Sequence, residues 1–318
     1  MVIRPVASRP SGCGIASAVL CGIALAGFLS SCGLTNVQKE GVGSFAQASS
    51  ALGAASAQQF KAFRSDVIMM KTTRLAIEGK KLPAAKPDGK PADRKFYTEE
   101  LNLDSGLDPD NLEKRLKAVD TLTAYGNLLQ ALSEKSQEKE LNAAADAFME
   151  SVKKFPGNPL DAGQVEGLGK LLTMAGGLWI ESGKKRVIRE IVPKMSPLVR
   201  HLCDSLENDF NVKGTGFASG VDVVQDRLAR ESINVLKREP GSIADRAILI
   251  EGLAMANDAR ENLDRVTGKM LKAVASLREA DKTLVELVME RQITLDAVKA
   301  FSRDVSELAK AVKPFTQK

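Results

Sequence analysis

A single histidine, His201, serves the whole 318-residue chain, which excludes a zinc site built on several imidazoles. Aromatic residues are scarce, with one Trp and two Tyr, and no run alternates β-branched with polar residues as a half-buried strand does. Nor does any stretch recur at a period of about 20 to 50 residues, which sets aside solenoids and propellers. Four cysteines suggest two disulfides, yet Cys13 and Cys21 fall in an apolar leader and Cys32 at its end. Only Cys203 is left for the rest of the chain, so no internal disulfide can form there. A buried small hydrophobe is the simplest role for that thiol.

Ala, Leu, Lys and Glu dominate instead, a mixture that favours helices packed on helices. The formal net charge of +5 includes Arg4 and Arg9 of the leader; without them 43 basic residues face 40 acidic ones. A residual +3 spread over both signs makes no general field for nucleic acid, and that partner class is set aside.

The first ten residues carry two arginines and no acid, and Ser11 to Leu29 is uncharged and mostly apolar. This is the outline of a signal peptide, residues 1–31. It ends in Leu29-Ser30-Ser31-Cys32, an aliphatic residue three places before Cys with small residues between, and it resembles the lipobox of bacterial lipoprotein precursors. That resemblance implies cleavage between Ser31 and Cys32, a diacylglyceryl thioether on the Cys32 thiol and acylation of the freed amine. Three chains at ~0.8 kcal/mol per buried CH₂ hold a protein far more firmly than one. Gly33, where an Asp would signal inner-membrane retention in such proteins, implies the outer membrane facing the periplasm. Two alternatives compete: an ordinary secretory signal cut nearby, and an uncleaved anchor, for which the apolar run falls short of the ~20 residues a span requires.

After Cys32 the small, glycine-containing stretch to residue 43 reads as a lipidated tether, and 44–318 as one helical-bundle domain. An Ala-rich helix is expected from Ser44 to Glu78, closed by Gly79. The segment near 80–107, with Pro83, Pro87 and Pro91, reads as a mobile loop. Asp108-Pro109, Asn158-Pro159 and Ser196-Pro197 each set a capping side chain before a proline and predict three helix starts.

Apolar residues at three- and four-residue steps run from Leu112 to Leu132 and resume from Leu141 to Phe155, giving one long helix or two with a break near 133–140. A helix from Pro159 to about Ile180 follows, then a short one over Lys184 to Lys194, a glycine loop from Asn211 to Gly220, and a helix from about Ala218 to Arg238. Ser242 caps a long successor whose seam runs through Leu263, Val266, Met270, Ala273, Leu277, Ala280, Leu284 and Leu287. The spacing returns at Val298, Phe301, Val305 and Leu308 after a break near Thr294. Helices of forty-odd residues are ~65 Å long. The expected fold is therefore all-α, an elongated antiparallel helical bundle with long C-terminal helices.

Candidate chemistry is thin. His201 and Cys203 stand two apart on a helix and point to different faces, so they do not form a nucleophile and base; His201 is expected to reach Asp204 one turn on. Gly214 to Gly220 lacks the spacing of a dinucleotide fingerprint and reads as a turn between helices. Gly169-Lys170 lacks the glycine and hydroxyl a P-loop needs. Lys184, Lys185, Arg186 and Arg189 form the densest basic cluster, read as a solvated turn after an apolar helix. Glu99 and Glu100 read as solvated charge. No catalytic, cofactor-binding or metal residue is assigned, no cofactor is implied and no enzyme activity is expected. The leading reading is a lipid-anchored envelope protein that binds or scaffolds an unidentified envelope partner. Alternatives are a membrane-acting helical protein using Leu168 to Ile180, with Gly176-Gly177 and Trp179, and, behind it, a hydrolase with an unrecognised site.

Overall fold

The computed structural model describes residues 33–79, 101–104, 107–134, 136–175, 180–238, 242–291 and 294–312. Among them lie eight helices and no strand: α1 (Asn36–Ile77), α2 (Pro109–Ser133), α3 (Glu138–Lys153), α4 (Ala162–Ala175), α5 (Glu181–Phe210), α6 (Phe217–Leu236), α7 (Ile243–Val288) and α8 (Asp296–Val312). The fold is the all-α, elongated bundle that the apolar spacing predicts. Its spine is the antiparallel pair of α1, 42 residues long, and α7, 46 residues long, about 63 and 69 Å at 1.5 Å per residue. Gln38 Nε2 at the start of α1 donates to Leu287 O at the end of α7 at 3.1 Å, whereas Gly252, near the start of α7, lies against Thr73 and Ile77 at the end of α1.

Around the end that holds Gly33, helices α2, α5 and α8 pack on the spine, with α3 and α4 outside them. Helix α2 runs antiparallel to α1 at very close approach: a Cβ on Gly126 would stand 2.5 Å from Ala46 O, and one on Gly53 2.8 Å from Val119 O. Only glycine permits this spacing, and Ser50 Oγ fills it by donating to Thr123 O at 3.2 Å. The few aromatics are spent in the interior. Phe45 meets Tyr125 and Phe301, and Phe60 meets Phe210 and Phe217, with centroids 5.1 to 6.3 Å apart, the offset and edge-on range rings prefer. Towards the other end α2 and α8 give out, and α6 alone accompanies α1 and α7.

Several boundaries match the capping chemistry. Asp108 caps α2, accepting from Asn111 N at 2.9 Å, and Ser242 caps α7, accepting from Asp245 N at 3.0 Å. The alternative over 112–155 resolves as two helices, α2 and α3. The break before α8 also holds, with α7 ending at Val288 and α8 beginning at Asp296.

Three expectations are corrected. Helix α1 begins at Asn36, not Ser44, so residues 36–43 of the expected tether belong to the bundle; Thr35 and Gln38 form a reciprocal capping box at 3.2 and 3.1 Å. Gly41 serves close packing there, with Leu287 and Leu295 against it. Helix α4 begins at Ala162 rather than Pro159, because Asn158 Oδ1 accepts from Leu160 N in a turn and Asp161 takes over as cap, accepting from Gln164 N at 2.8 Å. Ser196-Pro197 starts no helix: α5 runs unbroken through Pro193 and Pro197. The Ser196 hydroxyl, instead of capping, donates to Asp281 of α7 at 2.5 Å. Ile191, Val192, Met195, Leu198 and Val199 bury one continuous face, and that burial outweighs the lost N–H donors.

The expected mobile loop lies outside the described residues over 80–100. Its far end is pinned: Leu103 and Leu107 are buried, Arg64 pairs with Asp104 at 2.6 Å, and Arg64 Nε donates to Leu107 O.

Candidate functional site

The residues singled out for chemistry scatter. Cys203 is free, fully buried and within 3.9 Å of Val274 O, and burial pushes its thiol up to about 12, so it is the inert small hydrophobe expected. His201 lies edge-on to Phe155, with centroids 5.9 Å apart. Asp204 instead pairs with Arg278 at 2.9 Å. Lys170, of the rejected P-loop match, pairs with Glu166 on an exposed face at 2.6 Å. Among the described residues no group of three or more His, Cys, Asp and Glu could hold a metal. Glu99, Glu100, Gly176, Gly177 and Trp179 lie outside the described residues, as do Ser31 and Cys32 of the expected cleavage and lipidation site.

Gly33, one peptide bond after Cys32, sits beside Glu181 at the first turn of α5. Here the basic cluster proves to be a fastening rather than a solvated turn. Lys184, 4 % exposed, donates from Nζ to Glu134 O at the end of α2 at 2.7 Å, and Arg189 Nε donates to Val288 O at the end of α7 at 3.1 Å. Cations are thus set on two helix C-termini, where the carbonyls lack intrahelical partners and the dipole is negative. Glu290 accepts both Lys185 and Arg189 at 3.3 Å, and Lys39 pairs with Glu181 at 2.8 Å. Those cations hold the Glu290 carboxyl below its usual range, the Lys185 hydrogen bond foremost. Val37, Ile180 and Met289 are exposed at the ends of the elements gathered here.

A second constellation gathers on the long surface between α1 and α6. Lys71 and Arg74 of α1 and Arg227 of α6 line a cleft of about 320 Å³ with Leu107, Thr215, Gly216, Ser219, Gly220, Val223 and Val224. None of these described lining residues is acidic. Gly216 is the N-cap of α6 and has no side chain to engage the amides of its first turn, of which Phe217 N–H bonds Asp209. A Cβ at Gly216 would lie 2.5 Å from Asn208 O, so the turn at 211–216 demands glycine for packing. Burial, followed by the like charge of Arg74, holds the Lys71 ammonium below its usual range; Asp104 opposes this and Arg227 adds to it. Arg74 pairs with Glu78 at 3.1 Å and Glu231 at 3.8 Å, and Lys71 Nζ donates to the Asn102 backbone carbonyl at 3.1 Å. The glycine loop was visible in the sequence as a turn. The Lys71-x-x-Arg74 pair, one turn apart on a helix face, was the overlooked signal.

Buried carboxylates form a third set. Asp281, 1 % exposed, keeps its Oδ1 without a hydrogen-bond partner, and desolvation raises its pKa to about 6. The equally buried Tyr125 hydroxyl has no partner, and burial, with Asp281 second, pushes it well above its usual value. Asp304 bonds Ser276 and Lys272, the latter at 3.0 Å. Both acids sit in register with the α7 and α8 seams, a sequence signal that went unread. Asp281 is buried and Ser196 half-buried, and their hydrogen bond is a polar cross-link between α5 and α7.

No family model, no curated protein and no solved structure matches the chain.

Proposed function

We propose that the chain is the precursor of a bacterial lipoprotein, cut before Cys32 and lipidated on it, whose remainder is a helical rod that binds or scaffolds another component of the cell envelope. The Leu29-Ser30-Ser31-Cys32 lipobox carries this reading. Support comes from the short distance between that motif and the bundle: Thr35 already caps α1, so a lipid on Cys32 would couple directly to one end of a spine more than ~60 Å long. Outer-membrane attachment facing the periplasm follows from Gly33 by the same resemblance.

The membrane-acting alternative draws less support. Among the described residues no helix is long and apolar enough to cross a membrane, and Leu168, Leu171 and Leu172 of its inserting segment are buried in the bundle. A hydrolase would need a cavity with converging ionisable groups fit for proton transfer; the described lining of the cationic cleft holds no carboxylate or imidazole.

Intact mass of the membrane-extracted protein, wild type against Cys32→Ala, tests the proposal. A chain beginning at Cys32 and carrying acyl groups, both lost in the variant, is the expected result. An unmodified mass in the wild type would overturn it. Vesicle leakage caused by the chain from Gly33 onward would put the membrane-acting reading first.

A further inference from the structure

We infer that the cleft between α1 and α6 is a binding site for a phosphate group, held by Lys71, Arg74 and Arg227 and by the hydroxyls of Thr215 and Ser219. The argument starts from what brings three cations to one wall. Lys71 and Arg74 are one turn apart on α1, Arg227 arrives from α6, and Leu107 lines the cleft beside them. Burial first, then the like charges of Arg74 and Arg227, hold the Lys71 ammonium below its usual range, with Asp104 opposing. Glu78 and Glu231 lie on Arg74, and neither lines the cleft. The described lining thus turns cations and hydroxyls, and no carboxylate, towards an anion that enters the cleft.

The donor set selects among anions. A carboxylate presents two oxygens and one charge, fewer than three cations and two hydroxyls can use. A phosphate monoester presents three oxygens and roughly −1.5 to −2 charge at neutral pH, and a guanidinium fork matches its geometry. Val223 and Val224 leave an apolar margin, so a phosphate with a small organic or polymer attachment fits about 320 Å³ better than a bare ion. The inference stands apart from the lipid-anchor proposal: a protein without acyl chains would keep the cleft.

The test is calorimetric titration of the full chain, purified in neutral detergent, with inorganic phosphate and pyrophosphate at constant ionic strength. Saturable binding is expected, at least tenfold weaker in Arg227→Ala and in Lys71→Gln. Arg230→Ala should bind as wild type, since Arg230 lies one turn on, 74 % exposed and paired with Asp226. Arg227 is exposed, so its variant will fold. A second arm adds neutral phosphatidylcholine vesicles with or without phosphatidylglycerol to the phosphate titration. Competition confined to phosphatidylglycerol assigns the group to a lipid headgroup, and no competition assigns it to a soluble or polymer-borne phosphate; both support the site. Absence of saturation with phosphate, pyrophosphate and headgroup alike, or an equal loss in Arg230→Ala, overturns it.

Discussion

The two ends of the rod are built to different standards. At the Gly33 end five helices surround one interior, every seam residue of α8 from Val298 to Val312 is buried, and cations stitch α2 and α7 to α5. At the other end three helices remain, and the first turns of α7 carry Ile243, Ile248 and Ile250 at 88 %, 43 % and 60 % exposure. Continuous burial begins only past Leu249, Gly252 and Ala256. The thick half supplies the stability on which a thin, ligand-accessible half can be carried. This is the usual division between well-packed units and the low-stability elements that meet partners.

Core truncation should separate the halves most. Leu284, fully buried in the α7 seam at the thick end, should cost about 2 to 5 kcal/mol as Leu284→Ala, read as a lower denaturant midpoint. Next comes the α1–α2 crossing. Gly126→Ala forces a Cβ against the Ser50 hydroxyl and, where no side-chain rotation can help, against the Ala46 carbonyl, and should cost about 1 to 3 kcal/mol. By contrast Gly268, exposed on α7 with nothing within 4 Å of a built Cβ, should gain about 0.5 to 1 kcal/mol as alanine. Equal losses from both glycine variants would show that the close approach of α1 and α2 is not what Gly126 protects.

A gain is also expected inside the thick half, with a definite pH dependence. The folded-state pKa of Asp281, about 6 against 3.8 for the free group, means that folding favours its protonated form. The penalty is therefore absent below pH 3.8, grows as pH rises towards 6 and is constant above. Asp281→Asn should stabilise by about 2 kcal/mol at pH 8, and its advantage should shrink between pH 6 and 4 and vanish below. Asn retains an acceptor for Ser196. A pH-independent effect would sink the assignment.

How far the sequence foretold this comparison depends on which interactions decide each part. Local chemistry was legible: Asp108-Pro109, Ser242 and the three-four seams of α7 and α8 act within a few residues, and the all-helical class follows from them. Long-range choices were not. Ser196-Pro197 carries every mark of a helix start, yet its hydroxyl is claimed by Asp281, 85 positions away. The glycines of residues 33–43 suggested a tether because nothing local says that Leu287 and Leu295 need the space beside Gly41. The cationic cleft was half legible, as its glycine loop is continuous in sequence; Arg227, which completes the wall, is more than 150 residues from Lys71, and only the α1–α6 packing unites them.

The smallest effect tests the thin half directly. Ile250 belongs to a helix whose neighbouring turn buries Leu249 and Gly252, so its backbone is fixed while its side chain remains 60 % exposed. Ile250→Ser removes little apolar burial and should change stability by no more than about 0.5 kcal/mol, the range for surface positions. Ile243→Ser, at 88 % exposure, should change it less. Chemical denaturation of the full chain reads both. A loss above about 1 kcal/mol at Ile250 would mean that the isoleucines are covered in solution and that the two ends are packed alike, removing the contrast on which the division of labour rests. A neutral result leaves three isoleucines on a rigid helix, carried without cost to the fold, at the end of the rod far from Gly33.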